Sequence, residues 1–169
     1  MQSLKEVLIN SYKSEMIAFI QSNHKAFDEA ITIALSDEQP FAWRAAFVLW
    51  SCMEENDPRI KKQMKRFVAA LQEKQDGHQR ELIKILFQMD LGDKYEGIIF
   101  DTCISLWEDI SKVPSVRYNA FKMILKIVKK HPELAEEILF LTEDRYLESL
   151  SAGIRNSINR MIVSSGIIK

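Results

Sequence analysis

FAWRAAF at residues 41–47 recurs in altered form as GHQRELI at 77–83, PSVRYNA at 114–120 and AGIRNSI at 152–158. The arginines of these stretches, Arg44, Arg80, Arg117 and Arg155, lie 36, 37 and 38 residues apart. An apolar residue follows each arginine after three residues and again after six, so the neighbours repeat with the arginine. A period of about 37 residues is typical of solenoids built from pairs of helices.

The prolines follow the same period. Pro40 and Pro114 are 74 residues apart, and so are Pro58 and Pro132. Proline favours the first position of a helix, because its missing N–H costs no hydrogen bond there. Since 74 is twice 37, the prolines indicate corresponding helix starts in alternate repeats.

Helical periodicity extends over the whole chain. Five glycines and four prolines in 169 residues leave few turns for a β protein, and apolar residues recur every three or four positions instead. Ser3 with Glu6 and Asp93 with Glu96 have the spacing of capping boxes at helix starts. We expect an all-α protein of about nine helices, with a cap near 3–21, first helices near 24–36, 58–74, 93–111 and 132–148, and second helices near 41–55, 78–90, 114–130 and 152–165.

The arginine near the start of each second helix, followed by small or apolar residues, resembles HEAT-like repeats of the armadillo/HEAT superfamily. The resemblance implies one α-α superhelical domain over residues 1–169, with antiparallel pairs at about 23–56, 57–91, 92–131 and 132–165. It also implies a structural role for the repeat arginines, which in this family often bond acidic residues of the turns. Asp37 and Asp76 would serve Arg44 and Arg80, whereas the later turns carry no matching Asp. An irregular helical bundle with coincidental spacing is the alternative.

Composition limits the possible functions. Lys and Arg number 23 and Asp and Glu 24, so the net charge of −1 disfavours a dedicated nucleic-acid binder. Two separated cysteines and an N-terminus without a leader pattern favour a protein of the reducing cytoplasm, without a membrane span. The three histidines are scattered, so we expect no metal site and no cofactor. The sequence carries no recognised catalytic motif, and we expect a protein that is not an enzyme.

Trp43, Phe47 and Trp50 form an aromatic stripe, since residues at i, i+4 and i+7 share one helix face. The helix around them is apolar on nearly all sides, which is typical of a buried helix. We therefore expect Leu49 and Trp50 to be buried, with Trp43 partly exposed on the first turn. A ligand-binding wall made by the stripe is the alternative.

The Trp43-Arg44 pair also resembles helix starts in the HEAT-like DNA alkylation-repair glycosylases. That resemblance implies a nucleic-acid partner and an acidic residue beside the groove tryptophans. Glu54 would be this residue, one helical turn after Trp50. The chain departs from that family in its short length, its slightly negative charge and the place of Glu54 at a helix end.

Charged residues are unevenly distributed: residues 59–66 and 122–130 are rich in Lys and Arg, and residues 133–148 are rich in Asp and Glu. The HEAT-like resemblance places the second helices on the concave side, where polar rows would bind a partner. The rows are Glu81, Lys84 and Gln88, then Tyr118, Lys122 and Lys126, then Asn156, Asn159 and Arg160. Because they mix signs and amides, we expect a scaffold for an unidentified protein or peptide, with nucleic acid as the alternative partner.

Overall fold

The computed structural model describes residues 2–167, which form two compact units, 2–90 and 91–167. The boundary between the units lies one residue before the predicted boundary between the second and third helix pairs. Residues 1, 168 and 169, the ends of the predicted domain, lie outside the described part of the chain. The grouping of all four pairs into one domain stays a prediction.

The described residues of the first unit form seven helices: α1 Leu4–Asn10, α2 Lys13–Ser22, α3 His24–Ala34, α4 Phe41–Cys52, α5 Pro58–Lys62, α6 Met64–Glu73 and α7 Asp76–Phe87. Helices α3 and α4 pack as one pair and α6 and α7 as the next. The second helices of the two pairs, α4 and α7, also pack against each other, and α1 and α2 cover the first pair. The core is apolar and includes fully buried Leu8, Leu49 and Phe67.

Three helices in the described part of the second unit are longer than any described helix of the first unit. Its described residues form α8 Gly92–Glu108, α9 Pro114–Lys130, a 3₁₀ turn Pro132–Leu134, α10 Ala135–Leu141, α11 Asp144–Leu147 and α12 Ala152–Ser165. Helix α8 packs on α9, and α9 packs on α12. Trp107 of α8 and Phe121 of α9 pack together, with ring centroids 4.6 Å apart and both side chains fully buried.

The all-α fold class predicted from the sequence is confirmed, and the four second helices agree with their predicted ranges within a few residues. Within residues 2–167, the number of helices is higher than nine because the cap and two first helices are interrupted. The cap breaks where Ser11 and Tyr12 are extended, and the chain restarts as Tyr12 N–H donates to the Glu15 carboxylate. The first helix of the second pair breaks at Gln63, and that of the fourth pair divides into the 3₁₀ turn, α10 and α11.

Capping follows the sequence at some helix starts and departs from it at others. The Ser3–Glu6 capping box is present, and Asp57 caps α5 with Pro58 at its first position. The predicted Asp93–Glu96 capping box is wrong. Helix α8 begins at Gly92, one residue before Asp93, and its N-cap residue, Leu91, forms no side-chain cap. Glu96 instead bonds Lys130 and His131 at the end of α9.

Side chains from one helix repeatedly bond backbone carbonyls in the last turn of another. These carbonyls need external donors, because the last four C=O groups of a helix have no partner within it. The bonds run from Arg44 to Leu8, His78 to Ala34, Gln79 to Leu71, Gln88 to Trp50, Trp107 to Leu141, and Arg117 to both Trp107 and Tyr146. Arg44 and Leu8 are 36 residues apart and Gln88 and Trp50 are 38 apart, so these bonds span about one repeat.

The four repeat arginines occupy equivalent helix positions but have different surroundings. Arg44, Arg117 and Arg155 are each the fourth residue of their helix, and Arg80 is the fifth. Arg117 is fully buried and also donates to Ser149 Oγ at 2.8 Å, whereas Arg155 is exposed. Arg80 Nε bonds the adjacent Glu81 at 2.6 Å.

The acidic residue predicted to bond Arg44 has another partner in the structure. Asp37 forms its ion pair with Lys74, and this contact holds the pKa of the Asp37 carboxyl below its usual value. The Arg44 guanidinium bonds the Leu8 carbonyl. The bonding of the repeat arginines therefore differs from repeat to repeat.

Replacement of Arg117 tests whether these carbonyl bonds stabilise the fold. We expect Arg117→Ala to lower the free energy of unfolding by about 3 kcal/mol or more, because two buried carbonyls lose their donor at about 1–3 kcal/mol each. Arg155→Ala removes the equivalent exposed side chain and should change it by less than about 0.5 kcal/mol. Urea unfolding monitored by circular dichroism measures both, and equal effects would contradict the structural role of Arg117.

Candidate functional site

The first predicted row, Glu81, Lys84 and Gln88, surrounds Trp50. The indole Nε1 of Trp50 donates to Glu81 Oε2 at 2.6 Å, and Gln88 Nε2 donates to the Trp50 carbonyl at 2.7 Å. The Lys84 ammonium lies 4.6 Å from the centroid of the Trp50 ring, a cation–π contact. The three residues thus hold α4 against α7, and in the first unit the row serves as a structural clamp.

Glu81 is the centre of this clamp and has no exposed surface. Its carboxylate accepts bonds from Trp50, from Arg80 Nε at 2.6 Å and from Lys84 Nζ at 3.3 Å. A buried carboxylate is tolerated when donors of this kind replace its water. Glu81 therefore cannot touch a partner directly, which corrects its place in the predicted binding row.

The aromatic stripe lies at the edge of the core. Trp43 and Phe47, and then Phe47 and Trp50, meet edge to face with ring centroids 6.3 Å apart in both pairs. The Lys13 ammonium of α2 lies 4.9 Å from the Phe47 centroid and 4.4 Å from that of Trp50. All three rings are half-buried.

Burial in this helix differs from the prediction at one residue. Leu49 is fully buried as predicted, but the predicted burial of Trp50 is wrong. Trp50 is half-buried because its ring contacts the side chains of Lys13 and Lys84 at the surface. The stripe is therefore partly core and partly surface.

The acidic partner of Trp50 is Glu81 and not Glu54, the residue that the glycosylase resemblance implied. Glu54 is exposed, and its backbone N–H donates to Asp57. Sequence reasoning missed the Trp50–Glu81 pair because the residues are 31 positions apart on different helices. The one signal in the sequence that pointed to this pair was that both residues lie on second helices.

A cleft of about 520 Å³ lies beside the stripe in the first unit. Its lining residues are Asp37, Gln39, Trp43, Glu73, Lys74, Gln75, Gly77, His78 and Arg80. His78 Nε2 lies 2.8 Å from the Ala34 carbonyl and Nδ1 lies 3.1 Å from Gln39, so both ring nitrogens are bonded. Burial lowers the pKa of His78, which favours the neutral imidazole. In this form the ring links the Ala34 carbonyl to the Gln39 side chain.

In the second unit, the second predicted row contacts helix α12 through Tyr118. Tyr118 Oη of α9 lies 3.1 Å from Ser157 Oγ of α12, and these are the fifth and sixth residues of their helices. Lys122 and Lys126 are half-exposed, and Lys122 lies one turn beyond Tyr118. The α12 residues Asn156, Asn159 and Arg160 are exposed. The structure thus places residues of both rows on one pair of packed second helices, α9 and α12.

A smaller cleft of about 260 Å³ lies where α9 ends, lined in part by Glu96, Phe100 and His131. Hydrogen bonds from Lys130 and His131 hold the pKa of Glu96 below its usual value. The Glu96 carboxylate in turn raises the pKa of His131, whose Nε2 lies 2.8 Å away. His131 directly follows the last residue of α9.

Neither cysteine has the environment of a nucleophile. Burial raises the pKa of Cys52 to about 11 and that of Cys103 to about 12, so both thiols are protonated at neutral pH. The described residues contain no group of three His, Cys, Asp or Glu side chains placed to hold a metal ion. Across residues 2–167, every helix is too short or too polar to cross a membrane.

Comparison with known proteins supports the repeat assignment. A family model described as a HEAT repeat domain matches residues 1–165. No curated protein and no solved structure gives a significant match.

Trp50→Phe tests the clamp around Glu81. The substitution keeps a ring but removes the indole donor from a buried carboxylate, so the free energy of unfolding should fall by about 1–3 kcal/mol. Trp43→Phe makes the same chemical change where no indole bond is formed within the described residues, and its effect should be smaller. Urea unfolding compares the two, and a double-mutant cycle with Glu81→Gln isolates the bond.

The Glu96–His131 contact predicts a pH dependence of stability. Because the folded state raises the pKa of His131, its contribution is complete below the ordinary value of about 6.5 and is lost as the pH rises through the raised value. The gap between the urea midpoints of wild type and His131→Gln should therefore narrow with rising pH. His24→Gln, at an exposed histidine, is the matched control.

The same ion pair acts in the opposite direction at acid pH. The lowered pKa of Glu96 gives a contribution that is present above the ordinary value of about 4.3 and is lost as the pH falls through the lowered value. Burial of His78 also favours stability at higher pH, which is why the His131 effect is measured as a difference. A gap that is constant or widens with rising pH would contradict the role given to His131.

Proposed function

Since this chain belongs to the HEAT repeat domain family, we propose that it is a non-enzymatic scaffold that binds a segment of another protein. The binding surface is the α9–α12 face, defined by Tyr118, Lys122 and Lys126 of α9 and Asn156, Asn159 and Arg160 of α12. Helical repeats commonly bind partners on surfaces made by successive helices.

The observation that carries the proposal is the exposure of the polar residues on α9 and α12, in contrast to the buried Glu81 of α7. In the first unit, Glu81, Lys84 and Gln88 are used to hold Trp50 and thereby join α4 to α7. In the second unit, α9 and α12 already meet through Tyr118 and Ser157, while the polar residues beyond this contact remain half-exposed or exposed. The exposed surface of these side chains is available to a partner.

Helix α9 is well suited to present such a surface. Nine of its seventeen residues are buried, including Val116, Phe121 and Val128, so its backbone is held firmly by the core. The half-exposed residues Tyr118, Lys122 and Lys126 follow one another at helical spacing along one stripe. A rigid helix that presents a stripe of polar side chains loses little conformational entropy on binding. The free cysteines, Cys52 and Cys103, support a cytoplasmic location as part of this proposal.

Selection from a random peptide display library tests the proposal without assuming the chemistry of the partner. The selected peptides should bind Lys122→Ala with Asn159→Ala at least about tenfold more weakly than wild type, a loss of about 1.4 kcal/mol. Lys94→Ala with Ser105→Ala truncates two polar side chains on α8, a first helix of the same unit, and should leave the affinity within about twofold.

Two results would contradict the proposal. One is the absence of any selected peptide that binds specifically. The other is a set of peptides whose binding depends on α8 and not on the α9–α12 face. Circular dichroism of each variant confirms that the compared proteins are folded.

A further inference from the structure

Two large apolar side chains of the second unit are exposed in succession on α10. Leu139 is 54% exposed and Phe140 is 60% exposed. The same helix buries Ile138 and Leu141, so it has apolar residues on two sides. The indole N–H of Trp107 in α8 donates to the Leu141 carbonyl at 2.7 Å, which fixes the end of α10. The exposed apolar pair is therefore presented by an anchored helix.

Acidic residues flank this pair before and after. Glu136 lies three residues before Leu139 and Glu137 lies three residues before Phe140, a spacing that makes side chains neighbours on a helix surface. The backbone N–H of Glu143 donates to the Phe140 carbonyl at 3.3 Å, so a further acidic residue follows after one turn. All three acidic residues are exposed. We call these five residues the α10 face.

The segment around the α10 face is strongly acidic. Residues 132–148 contain six Asp or Glu residues, all exposed, and one basic residue, so their net charge is −5. The basic residue is Arg145, whose Nε lies 3.0 Å from the Glu143 carboxylate. The apolar pair thus lies in a negative field, which attracts cations and repels anions.

The smaller cleft of the second unit adjoins the start of this segment. Its lining combines apolar and acidic side chains, namely Phe100, Ile127 and Leu134 with Asp93, Glu96 and Glu133. The cations near these three carboxylates are His131 and Lys130, both bonded to Glu96, so the cleft is negative even when His131 is protonated. An apolar wall with an excess of carboxylates suits the aliphatic stem and charged end of Lys or Arg.

The cleft and the exposed apolar pair lie about two helical turns apart. Glu133, which lines the cleft, precedes Phe140 by seven residues, or about 11 Å of helical rise. A partner helix beside α10 has the same rise, since seven residues make about two turns. A Lys seven positions from a Leu in such a helix can therefore reach the cleft while the Leu covers Phe140.

We propose that the α10 face and the smaller cleft form a second binding surface, which takes a basic amphipathic helix of another protein. The inference goes beyond the proposed function, because this surface is separate from the α9–α12 face. Apolar residues of the partner cover Leu139 and Phe140, and its flanking Lys or Arg residues meet the carboxylates. An amphipathic helix that lays its apolar side on such a surface is a recurrent mode of peptide recognition.

The same observations disfavour other occupants. Nucleic acid and anionic membranes carry phosphates, which the acidic segment repels. A second copy of this chain could offer α12, which carries exposed Arg155 and Arg160. Within Ala152–Ser165, however, Val163 is the one exposed large apolar side chain. It is too little apolar surface to cover both Leu139 and Phe140.

Fluorescence anisotropy with a labelled helical peptide of about eighteen residues tests the inference. The peptide is Ala-based, with Leu along one helix face, Lys on both flanks of that face, and one anchoring Lys seven positions before a Leu. A peptide of the same composition, ordered so that Leu and Lys are spread around the helix, should bind at least about tenfold more weakly. A peptide with Glu in place of Lys should give no measurable binding.

Removal of the apolar pair tests the contact at the centre of the face. Leu139→Ala with Phe140→Ala should weaken binding of the amphipathic peptide by at least about tenfold. Val163→Ala truncates an exposed apolar side chain of α12 and should leave the affinity within about twofold. If the double variant is unfolded by circular dichroism, Phe140→Ala alone takes its place with the same expected direction.

A second pair of variants tests the charge. Glu136→Gln with Glu137→Gln should weaken binding by about fivefold or more, with most of the effect on association. Glu54→Gln with Glu55→Gln makes the same change at two adjacent exposed residues of the first unit. These substitutions should leave the affinity within about twofold.

The cleft is tested through the anchoring Lys. Asp93→Asn with Glu133→Gln should weaken binding of the full peptide by about threefold or more. The same variant should bind a peptide with Ala at the anchor position as well as wild type does. An equal loss for both peptides would show that the cleft does not receive the Lys, and would overturn its part in the surface.

Three results would overturn the inference as a whole. One is equal binding of the ordered and spread peptides, because attraction would then follow net charge alone. Another is binding that Leu139→Ala with Phe140→Ala leaves unchanged. The third is a concentration-dependent dimer in analytical ultracentrifugation that the same variant dissociates, which would make a second copy the occupant. The proposed function is judged separately, since library-selected peptides that depend on the α9–α12 face support it whether or not the α10 face binds.

Discussion

The structure depends on one constraint, the unsatisfied carbonyls in the last turn of every helix. A protein made of many short helices contains many such carbonyls, and those that are buried must be bonded by protein groups. Here the donors come from other helices: the guanidinium groups of Arg44 and Arg117, the amides of Gln79 and Gln88, the imidazole of His78 and the indole of Trp107. These bonds make the position of one helix depend on the end of another, and they give the hydrophobic core a specific packing geometry.

The same framework supports different surfaces in the two units. In the first unit, the indole of Trp50 needs an acceptor and finds Glu81, whose own burial then requires Arg80 and Lys84. Trp50, at the edge of the core, thus engages the polar side chains of the neighbouring helix α7. In the second unit, the equivalent contact is made by two small hydroxyl groups, Tyr118 and Ser157. The polar residues of the α9–α12 face are half-exposed or exposed, which suits this face to the proposed binding.

The parts of the structure that local sequence determines were predicted well. Second helices follow from apolar periodicity and from their first turns, and all four repeat arginines fall within one residue of the same helix position. The arrangement around Trp50 and the burial of Glu81 could not be predicted, because they depend on residues 31 positions apart. The same is true of Glu96, whose spacing from Asp93 suggested a cap but whose partners lie at the end of α9. Hydrogen bonds between helices determine the roles of these polar groups, whereas the local sequence spacing suggested different roles.

The variety of the carbonyl donors has a consequence for how such a chain can change over time. A repeat array whose junctions are all alike can gain, lose or exchange modules, because any module fits beside any other. Here one junction uses an arginine, another a histidine and a glutamine, and a third an arginine with an indole. A helix pair moved to another position in the chain would place the wrong donor beside the carbonyls of its new neighbour. The order of the helix pairs along this chain is therefore fixed by their contacts. We expect the chain to diversify by substitution of surface residues rather than by duplication or shuffling of helix pairs.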